Sequence, residues 1–399
     1  MYYIGIDLGT SAVKLLLMDE TGSIANIVSR EYPIAFPHPG WSEQDPADWW
    51  AAVCDGIPAL LDGFDASQVK GIGAGGQMHG LVVLDKNDAV IRPCILCHSG
   101  CFNMCHYKGV PNDQELSDSL HLSRCAVNAE MMQWNKHYIK KTSSPKTIHI
   151  VGGGIGGMEV ARVAKLRGHT PVIYEKSGVL GGTFIPASAE SYKGRLRELL
   201  TWYRREMEKL GIEVKLNTEV KDISKFGSDP VVIATGATAR VLKNIPGHEK
   251  MVEACEFLNG APVGQKVAVI GGGLTGSEIA YELALQGKEV SIVEMKNDLV
   301  AQTGVCLANS SYLREWFAWK KVPVYLESKL KSVGDGFITC TDKDGKEFKV
   351  ECDSVISSAG YIPAPIAAKG GNVHLVGDCD AVGNLRTVIW QAYETAMKL

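Results

Sequence analysis

The chain has 399 residues, with 41 Lys and Arg against 45 Asp and Glu and a formal net charge of −4. That length holds two or three domains with cores of their own, and the dispersed basic residues argue against a nucleic-acid surface. No apolar run approaches the roughly 20 residues that span a bilayer, and the opening Met1-Tyr2-Tyr3-Ile4-Gly5-Ile6-Asp7 has no basic leader, so a cytoplasmic protein without a membrane partner is expected.

In chain order, the pattern predicts a strand to Leu8, a turn at Gly9-Thr10-Ser11, a strand from Ala12 to Met18, a turn at Glu20-Thr21-Gly22 and a third strand. A helix from about Pro46 to Leu61 follows, then strands near Val69 to Ile72 and Leu81 to Leu84. Asp7-Leu8-Gly9-Thr10-Ser11 with Lys14, Gly40-Trp41-Ser42-Glu43-Gln44-Asp45-Pro46 and Gly76-Gln77-Met78-His79-Gly80 resemble the start of xylulokinase and related sugar kinases. The resemblance implies part of a ribonuclease-H-like, actin-like ATPase lobe. Its first turn would face ATP phosphates, Asp7 would hold a metal-bound water, and Gln77-Met78-His79 would border the sugar. It runs to about Pro93, and the family's catalytic base and second lobe lie beyond that point. Phosphoryl transfer needs both lobes to position donor and acceptor, so turnover is not expected of this piece.

Five of the 11 cysteines then crowd between Cys94 and Cys125. Cys94, Cys97 and Cys101 form C-x2-C-x3-C, and Cys125 follows in Ser123-Arg124-Cys125. Three close thiolates and one distant one suit an iron–sulfur cluster, whose irons each need a soft terminal ligand. Four thiolates equally suit zinc. Cys105 is a fifth participant or a bystander.

After a polar connector through Lys140-Lys141-Thr142-Ser143-Ser144-Pro145, two glycine turns each follow an apolar strand: Gly152-Gly153-Gly154-Ile155-Gly156-Gly157 and Gly271-Gly272-Gly273-Leu274-Thr275-Gly276. Positions 152 and 271 differ by 119, as do Gly157 and Gly276, Gly168 and Gly287, and Glu175 and Glu294. This is an internal repeat of two dinucleotide-binding units. Gly152 and Gly154, like Gly271 and Gly273, permit the tight turn and a close backbone approach to a pyrophosphate. Gly157 and Gly276 let the helix pack on its strand, and the helix N-terminus faces the phosphates. Glu175 and Glu294 end the next apolar run, placed to accept ribose hydroxyls, and Glu294 would repel a 2′-phosphate, favouring NADH over NADPH. Between Leu196 and Leu210 an amphipathic helix rich in Arg and Glu reads as a solvated face.

Gly181-Gly182-Thr183, Val232-Ile233-Ala234-Thr235-Gly236 and Val373-His374-Leu375-Val376-Gly377-Asp378 resemble the two-dinucleotide-fold flavoprotein oxidoreductases. The resemblance implies an FAD domain that contributes Gly182, Thr183, Thr235 and Gly236. Asp378 would bind the ribityl chain, and a helix from Asn384 to Met397 would aim its positive end at the flavin. Gly182-Thr183-Phe184-Ile185-Pro186-Ala187 lacks the cysteine pair of disulfide reductases, so dithiol chemistry is not expected. From Cys94 to Leu399, about three quarters of the chain, the order of motifs resembles the C-terminal portion of the 2,4-dienoyl-CoA reductase, 2-enoate reductase and trimethylamine dehydrogenase family. That resemblance implies electron flow from NADH to FAD to a 4Fe-4S cluster to FMN, and the flavin context favours iron over zinc. The family's FMN-holding (β/α)8 barrel takes about 250 residues. Only 93 precede Cys94, so that barrel is not expected here.

The expected fold is therefore α/β: two Rossmann-like domains preceded by a partial kinase lobe. The divisions are residues 1–93 for the kinase-like piece, 94–130 for the cysteine segment and 131–145 for the connector. An FAD domain over 146–260 and 362–399 encloses an NADH domain over 261–361. Arg92-Pro93-Cys94-Ile95-Leu96-Cys97 suits both patterns, as a chimera joined at that point would. The function expected is an NADH-dependent FAD and iron–sulfur oxidoreductase passing electrons to an unknown acceptor. The alternatives are a non-catalytic kinase-like fragment binding nucleotide or pentose, or an inactive chimera.

Overall fold

The computed structural model describes residues 1–36, 44–76, 92–98, 125–131, 133, 137–302 and 305–399. Two compact units result, Met1–Ala89 and Val90–Leu399.

In the first unit β1 (Tyr2–Leu8), β2 (Ala12–Asp19) and β3 (Ile24–Glu31) form an antiparallel meander, and β4 (Val69–Gly75) joins β1 in parallel, in the order β3-β2-β1-β4. Val13, Leu15 and Leu17 alternate along β2 and are fully buried, the period of a strand with one face on a core. Against them packs α1 (Pro46–Leu60), whose N-terminus is capped by Asp45 accepting from the Ala47 N–H. The β2–β3 turn forms because Asp19 Oδ1 accepts from the Thr21 and Ser23 N–H groups at 2.8 and 3.0 Å. The expected strand at Leu81 to Leu84, and the motif segments Gly40-Trp41-Ser42-Glu43 and Gln77-Met78-His79-Gly80, lie outside the described residues.

The second unit holds two five-stranded parallel sheets of matching design. In one, β5 (Thr147–Val151) leads through α2 (Ile155–Arg167) to β6 (Thr170–Tyr174), and α3 (Gly194–Lys209) leads to β7 (Glu213–Lys215) and β8 (Val231–Ile233). In the other, β11 (Lys266–Ile270) leads through α4 (Leu274–Leu285) to β12 (Glu289–Val293), and α5 (Leu307–Lys320) leads to β13 (Val324–Tyr325). A two-residue strand, β10 (Val252–Glu253), joins this second sheet at its edge, beside β17 (Ser354–Ser357), upstream of position 261. With β19 (Val373–Leu375) closing the first sheet, the orders are β19-β8-β5-β6-β7 and β10-β17-β11-β12-β13. Thr147 pairs with Thr170 and Lys266 with Glu289, each pair displaced by the same 119 positions seen in the glycine turns.

Two features have no counterpart in the sequence reading. β14 (Lys329–Val333), β15 (Phe337–Thr341) and β16 (Glu347–Glu351) form an antiparallel meander, and β9 (Ala237–Ala239) pairs with β18 (Tyr361–Pro363) in the ribbon between the two sheet domains. The first sheet packs on α2, α3 and the C-terminal α6 (Leu385–Lys398) through Ile148, Ile150, Met158, Leu199, Tyr203 and Tyr393, all fully buried. Each such aliphatic side chain contributes about 1.5–3 kcal/mol of burial.

Candidate cofactor sites

The first glycine turn begins where β5 ends. Gly152 has φ +111°, and a Cβ there would stand 2.3 Å from the Ala234 carbonyl oxygen, so only glycine fits against the β8 edge. At Gly157 a Cβ would meet the Gly152 oxygen at 2.0 Å, which is why the third motif glycine sets how closely α2 packs on its strand. Gly154 is different: among the described residues nothing lies within 4 Å of its Cβ position, and no side chain caps α2. The first-turn N–H groups of α2 therefore face a backbone-lined opening of the kind a pyrophosphate occupies.

Glu175 is buried at the end of β6, where Oε2 accepts from the Gly153 N–H and Oε1 from the Ser177 N–H, both at 2.7 Å. Each carboxylate oxygen has further lone-pair capacity for a hydroxyl donor. Gly181 bridges Gly154 and donates its N–H to the Gly153 oxygen at 2.9 Å, setting Gly182 and Thr183 against the turn. Thr235 and Gly236 come next to it from β8, with Thr235 Oγ1 donating to the Ala364 oxygen at 2.7 Å.

Gly377-Asp378 follows β19, and the Val376 N–H donates to the Ile233 oxygen at 2.9 Å. The Gly377 N–H donates to Gln391 Oε1 at 2.8 Å, and Asp378 Oδ1 accepts from the Gly383 N–H at 3.0 Å. Burial pushes the Asp378 carboxyl above the usual range against that hydrogen bond. α6 starts with a capping box between Asn384 and Thr387, and its Val388 would be 3.2 Å from a Cβ on Gly156. The first turns of α2 and α6 thus meet at one edge of the sheet. Of the nine first-site residues expected from the sequence, Gly152, Gly154, Glu175, Gly182, Thr183, Thr235, Gly236 and Asp378 lie on turns and loops at this end of the strands, and Gly157 lies in the first turn of α2.

The second turn repeats the design. A Cβ on Gly271 would be 2.3 Å from the Ser358 oxygen and one on Gly276 would be 1.9 Å from the Gly271 oxygen. Glu294 Oε2 accepts from Gly272 N–H at 2.5 Å and Oε1 from Lys296 N–H at 2.7 Å. Gly273 begins α4, where Gln302 Oε1 accepts from the Leu274 N–H at 3.5 Å.

Of the four expected thiolates, Cys94, Cys97 and Cys125 lie among the described residues and Cys101 lies outside them, as does Cys105. Among the described residues no three His, Cys, Asp or Glu side chains close on one point. The Leu96 N–H donates to Cys94 Sγ at 3.4 Å, and Leu96 and His98, flanking Cys97, adopt left-handed φ of 54° and 50°. Hydrogen bonds to sulfur and tight reversals of this kind suit a thiolate loop around a cluster. Ile95 and Cys97 pack on the core of the first sheet domain, and Trp390 Nε1 of α6 donates to the Cys125 oxygen at 2.9 Å.

Two charged clusters escaped the sequence reading. Glu159, fully buried on α2, accepts from Arg162 Nε at 2.9 Å, Tyr203 OH at 3.1 Å and Arg92 Nη2 at 3.2 Å. Burial alone would raise its carboxyl, but the Arg162 and Arg92 charges outweigh that and hold it below the usual range. In the second cluster Lys193 Nζ lies 2.9 Å from Glu190 Oε1 and 2.8 Å from Glu278 Oε2. The expectation that the charges of α3 form only a solvated face is corrected here. Arg197 donates to the Ser188 and Glu190 carbonyl oxygens, and Arg204 donates to that of Leu180, because these loop carbonyls have no ladder partner.

Comparison with known proteins matches residues 2–107 to the N-terminal domain of the FGGY family of carbohydrate kinases and residues 224–387 to the pyridine nucleotide-disulphide oxidoreductase family. The chain is 37% identical to the cinnamate reductase of Clostridium sporogenes over 325 residues, 79% of this chain and 46% of that protein. It is 45% identical to the xylulose kinase of Escherichia coli over 104 residues, 26% of this chain and 22% of that enzyme. Among solved structures a 2-naphthoyl-CoA reductase in complex with 2-naphthoyl-CoA aligns with a TM-score of 0.66 at 27% identity, covering 77% of this chain and 46% of that one. The chain thus spans about half the length of the reductases it matches. Among the described residues no helix is long and apolar enough to cross a membrane. An N-terminal domain of the FGGY carbohydrate kinase family is joined in this chain to a pyridine nucleotide-disulphide oxidoreductase domain.

Proposed function

We propose that the chain is an NADH-dependent FAD and iron–sulfur oxidoreductase, delivering electrons to an acceptor through a cluster held by Cys94, Cys97, Cys101 and Cys125. The observation that carries this reading is the pairing of two equivalent cradles in one unit, each with a closed glycine turn, a helix N-terminus and a buried glutamate tied to the turn. When bound, FAD supplies a centre that takes a hydride from NADH and releases the electrons one at a time.

The residues supply binding and positioning. Gly154 leaves room for the pyrophosphate of FAD at α2, while Glu175 orients its adenosine ribose. The N-terminus of α6 and the Asp378 loop flank the flavin, and α6 contributes a favourable potential for negative charge on it. Glu294 accepts the ribose hydroxyls of NADH and disfavours a 2′-phosphate. The loop around Cys94 and Cys97 packs on the same core as α2 and α6, which supports cluster and flavin sharing one rigid frame. No side-chain acid or base is required of hydride transfer between stacked rings, so no catalytic residue is assigned. A cytoplasmic location accords with the unbridged cysteines such a cluster requires.

An anaerobic absorption spectrum of the purified protein before and after stoichiometric NADH tests the reading. Flavin bands over a broad iron–sulfur shoulder, bleached by NADH, are expected. A protein that stays colourless after supply of FAD, iron and sulfide overturns it.

A second reading applies to the first unit, favoured by its FGGY match and by Asp7 standing exposed at the end of β1 beside the Gly9 turn. It binds a nucleotide or a pentose without turnover. A thermal shift with ATP or xylulose supports it, and no shift at millimolar ligand removes it.

A further inference from the structure

Three consecutive residues of the first sheet domain, Ser191 to Lys193, backed by Glu190, grip one face of α4, the helix that starts at the second glycine turn. Lys193 Nζ bridges Glu190 Oε1 at 2.9 Å and Glu278 Oε2 at 2.8 Å, with its own side chain only 11% exposed. Ser191 donates both its N–H and its hydroxyl to Glu282 Oε2, at 3.1 and 2.8 Å. Tyr192 OH donates to the Glu278 carbonyl oxygen at 3.2 Å, and its ring meets that of Tyr281 edge-on at 5.2 Å. Glu278, Tyr281 and Glu282 are spaced i, i+3, i+4 and so share one helical face. Glu190 is itself buried, and the paired carboxylates hold the Lys193 ammonium charged against the cost of its burial.

The placement gives this contact a consequence. The gripping loop follows the Gly182-Thr183 edge of the first cradle, and Glu278 lies about one turn into the helix whose N-terminus forms the second. We propose that Lys193 is a positioning residue for reduction of the flavin by NADH, fixing the angle between the two cradles through Glu190 and Glu278. This rests on the reading of the two cradles as FAD and NADH sites. Hydride transfer is steep in distance and angle, and a displacement of about 1 Å can cost on the order of a hundredfold in rate. NADH binding, made within the second domain alone, does not depend on the grip.

The test uses the full chain with FAD bound and compares Lys193→Met, Lys193→Arg and Glu278→Gln with the parent. Glu278→Gln keeps a hydrogen-bond acceptor and leaves Lys193 paired with Glu190, so its fold is secure even where Lys193→Met fails to fold. Three quantities are read: NADH affinity by fluorescence titration, the rate of flavin bleaching after rapid mixing with NADH, and hydrogen exchange over residues 188–194 and 274–285. Expected are faster exchange in both segments, NADH affinity within about twofold of the parent, and bleaching slowed about tenfold in Lys193→Met and about threefold in Glu278→Gln. Lys193→Arg restores the rate.

Faster exchange with an unchanged bleaching rate, or unchanged exchange in both neutralised variants, overturns the positioning role alone. A parent that holds flavin but is not bleached by NADH overturns the underlying reading and the role with it.

Discussion

The guanidinium of Arg92 lies 3.2 Å from Glu159 Oε2 and 4.3 Å above the ring of Trp202, and it also donates to the Val127 carbonyl oxygen. Arg92 falls inside the stretch matched by the kinase family, yet every one of these partners belongs to the second compact unit. By its contacts, Arg92 is built into the second compact unit, Val90–Leu399.

The Arg92–Glu159–Arg162 cluster makes a measurable stability claim. Replacing Glu159 by Leu leaves two guanidinium groups without their shared carboxylate, one of them almost wholly buried, and is expected to cost about 3–5 kcal/mol. Arg92→Met leaves Arg162 paired and is expected to cost less than half of that. Urea unfolding followed by fluorescence distinguishes the two, and equal losses would contradict the shared-carboxylate arrangement.

The same carboxylate gives a pH dependence of known sign. Because the folded-state pKa of Glu159 is lowered, its stabilisation is complete above the ordinary glutamate value of about 4.3 and is lost as pH falls through the lower folded value. Asp378 has the opposite sign. Its folded-state value is raised, so ionisation above about 3.9 costs stability. Asp378→Asn should raise the melting temperature of flavin-free protein at pH 7 and lose that advantage at acid pH, while weakening FAD retention.

Gly154 and Gly157 separate folding from binding. Gly157→Ala places a methyl 2.0 Å from a carbonyl oxygen and is expected to destabilise the domain by about 1–3 kcal/mol. Gly154→Ala meets nothing among the described residues and should leave flavin-free stability unchanged. Its methyl enters the space read as the pyrophosphate site, so flavin content after purification should fall about tenfold, measured by absorbance against protein concentration.

Glu294→Gln removes the charge and keeps one of the two hydrogen bonds, to the Gly272 or the Lys296 N–H, because the amide nitrogen donates and cannot accept. The ratio of NADPH to NADH efficiency in flavin reduction should rise about tenfold, about 1.4 kcal/mol of discrimination. An unchanged ratio would mean that another group sets the choice of nucleotide.

The parts of this molecule that could be read from sequence are those in which one short stretch carries both the backbone and the chemistry. Gly152 to Gly157 announces a strand end, a turn and a helix start within six residues, and Glu175 closes the next apolar run, so cradle and partner fall in one local pattern. Val252–Glu253 becomes a strand only because β17 lies beside it, and no two-residue stretch signals that. Lys193 and Glu278 are 85 positions apart, and no local pattern joins them. Glu159 was invisible for the same reason, since only Arg92, 67 positions away, with Arg162 and Tyr203, makes a charge tolerable in that core.

The displacement of 119 positions recurs in the strand registers as it does in the glycine turns. Gly157 therefore has a twin in Gly276 and Glu175 one in Glu294, each in the same local geometry and, in the proposed function, each serving a different nucleotide. A substitution made at one member of a pair and then at the other perturbs the same backbone feature twice. The difference between the two outcomes isolates what the protein asks of each cofactor, with the chemistry of the fold itself held constant.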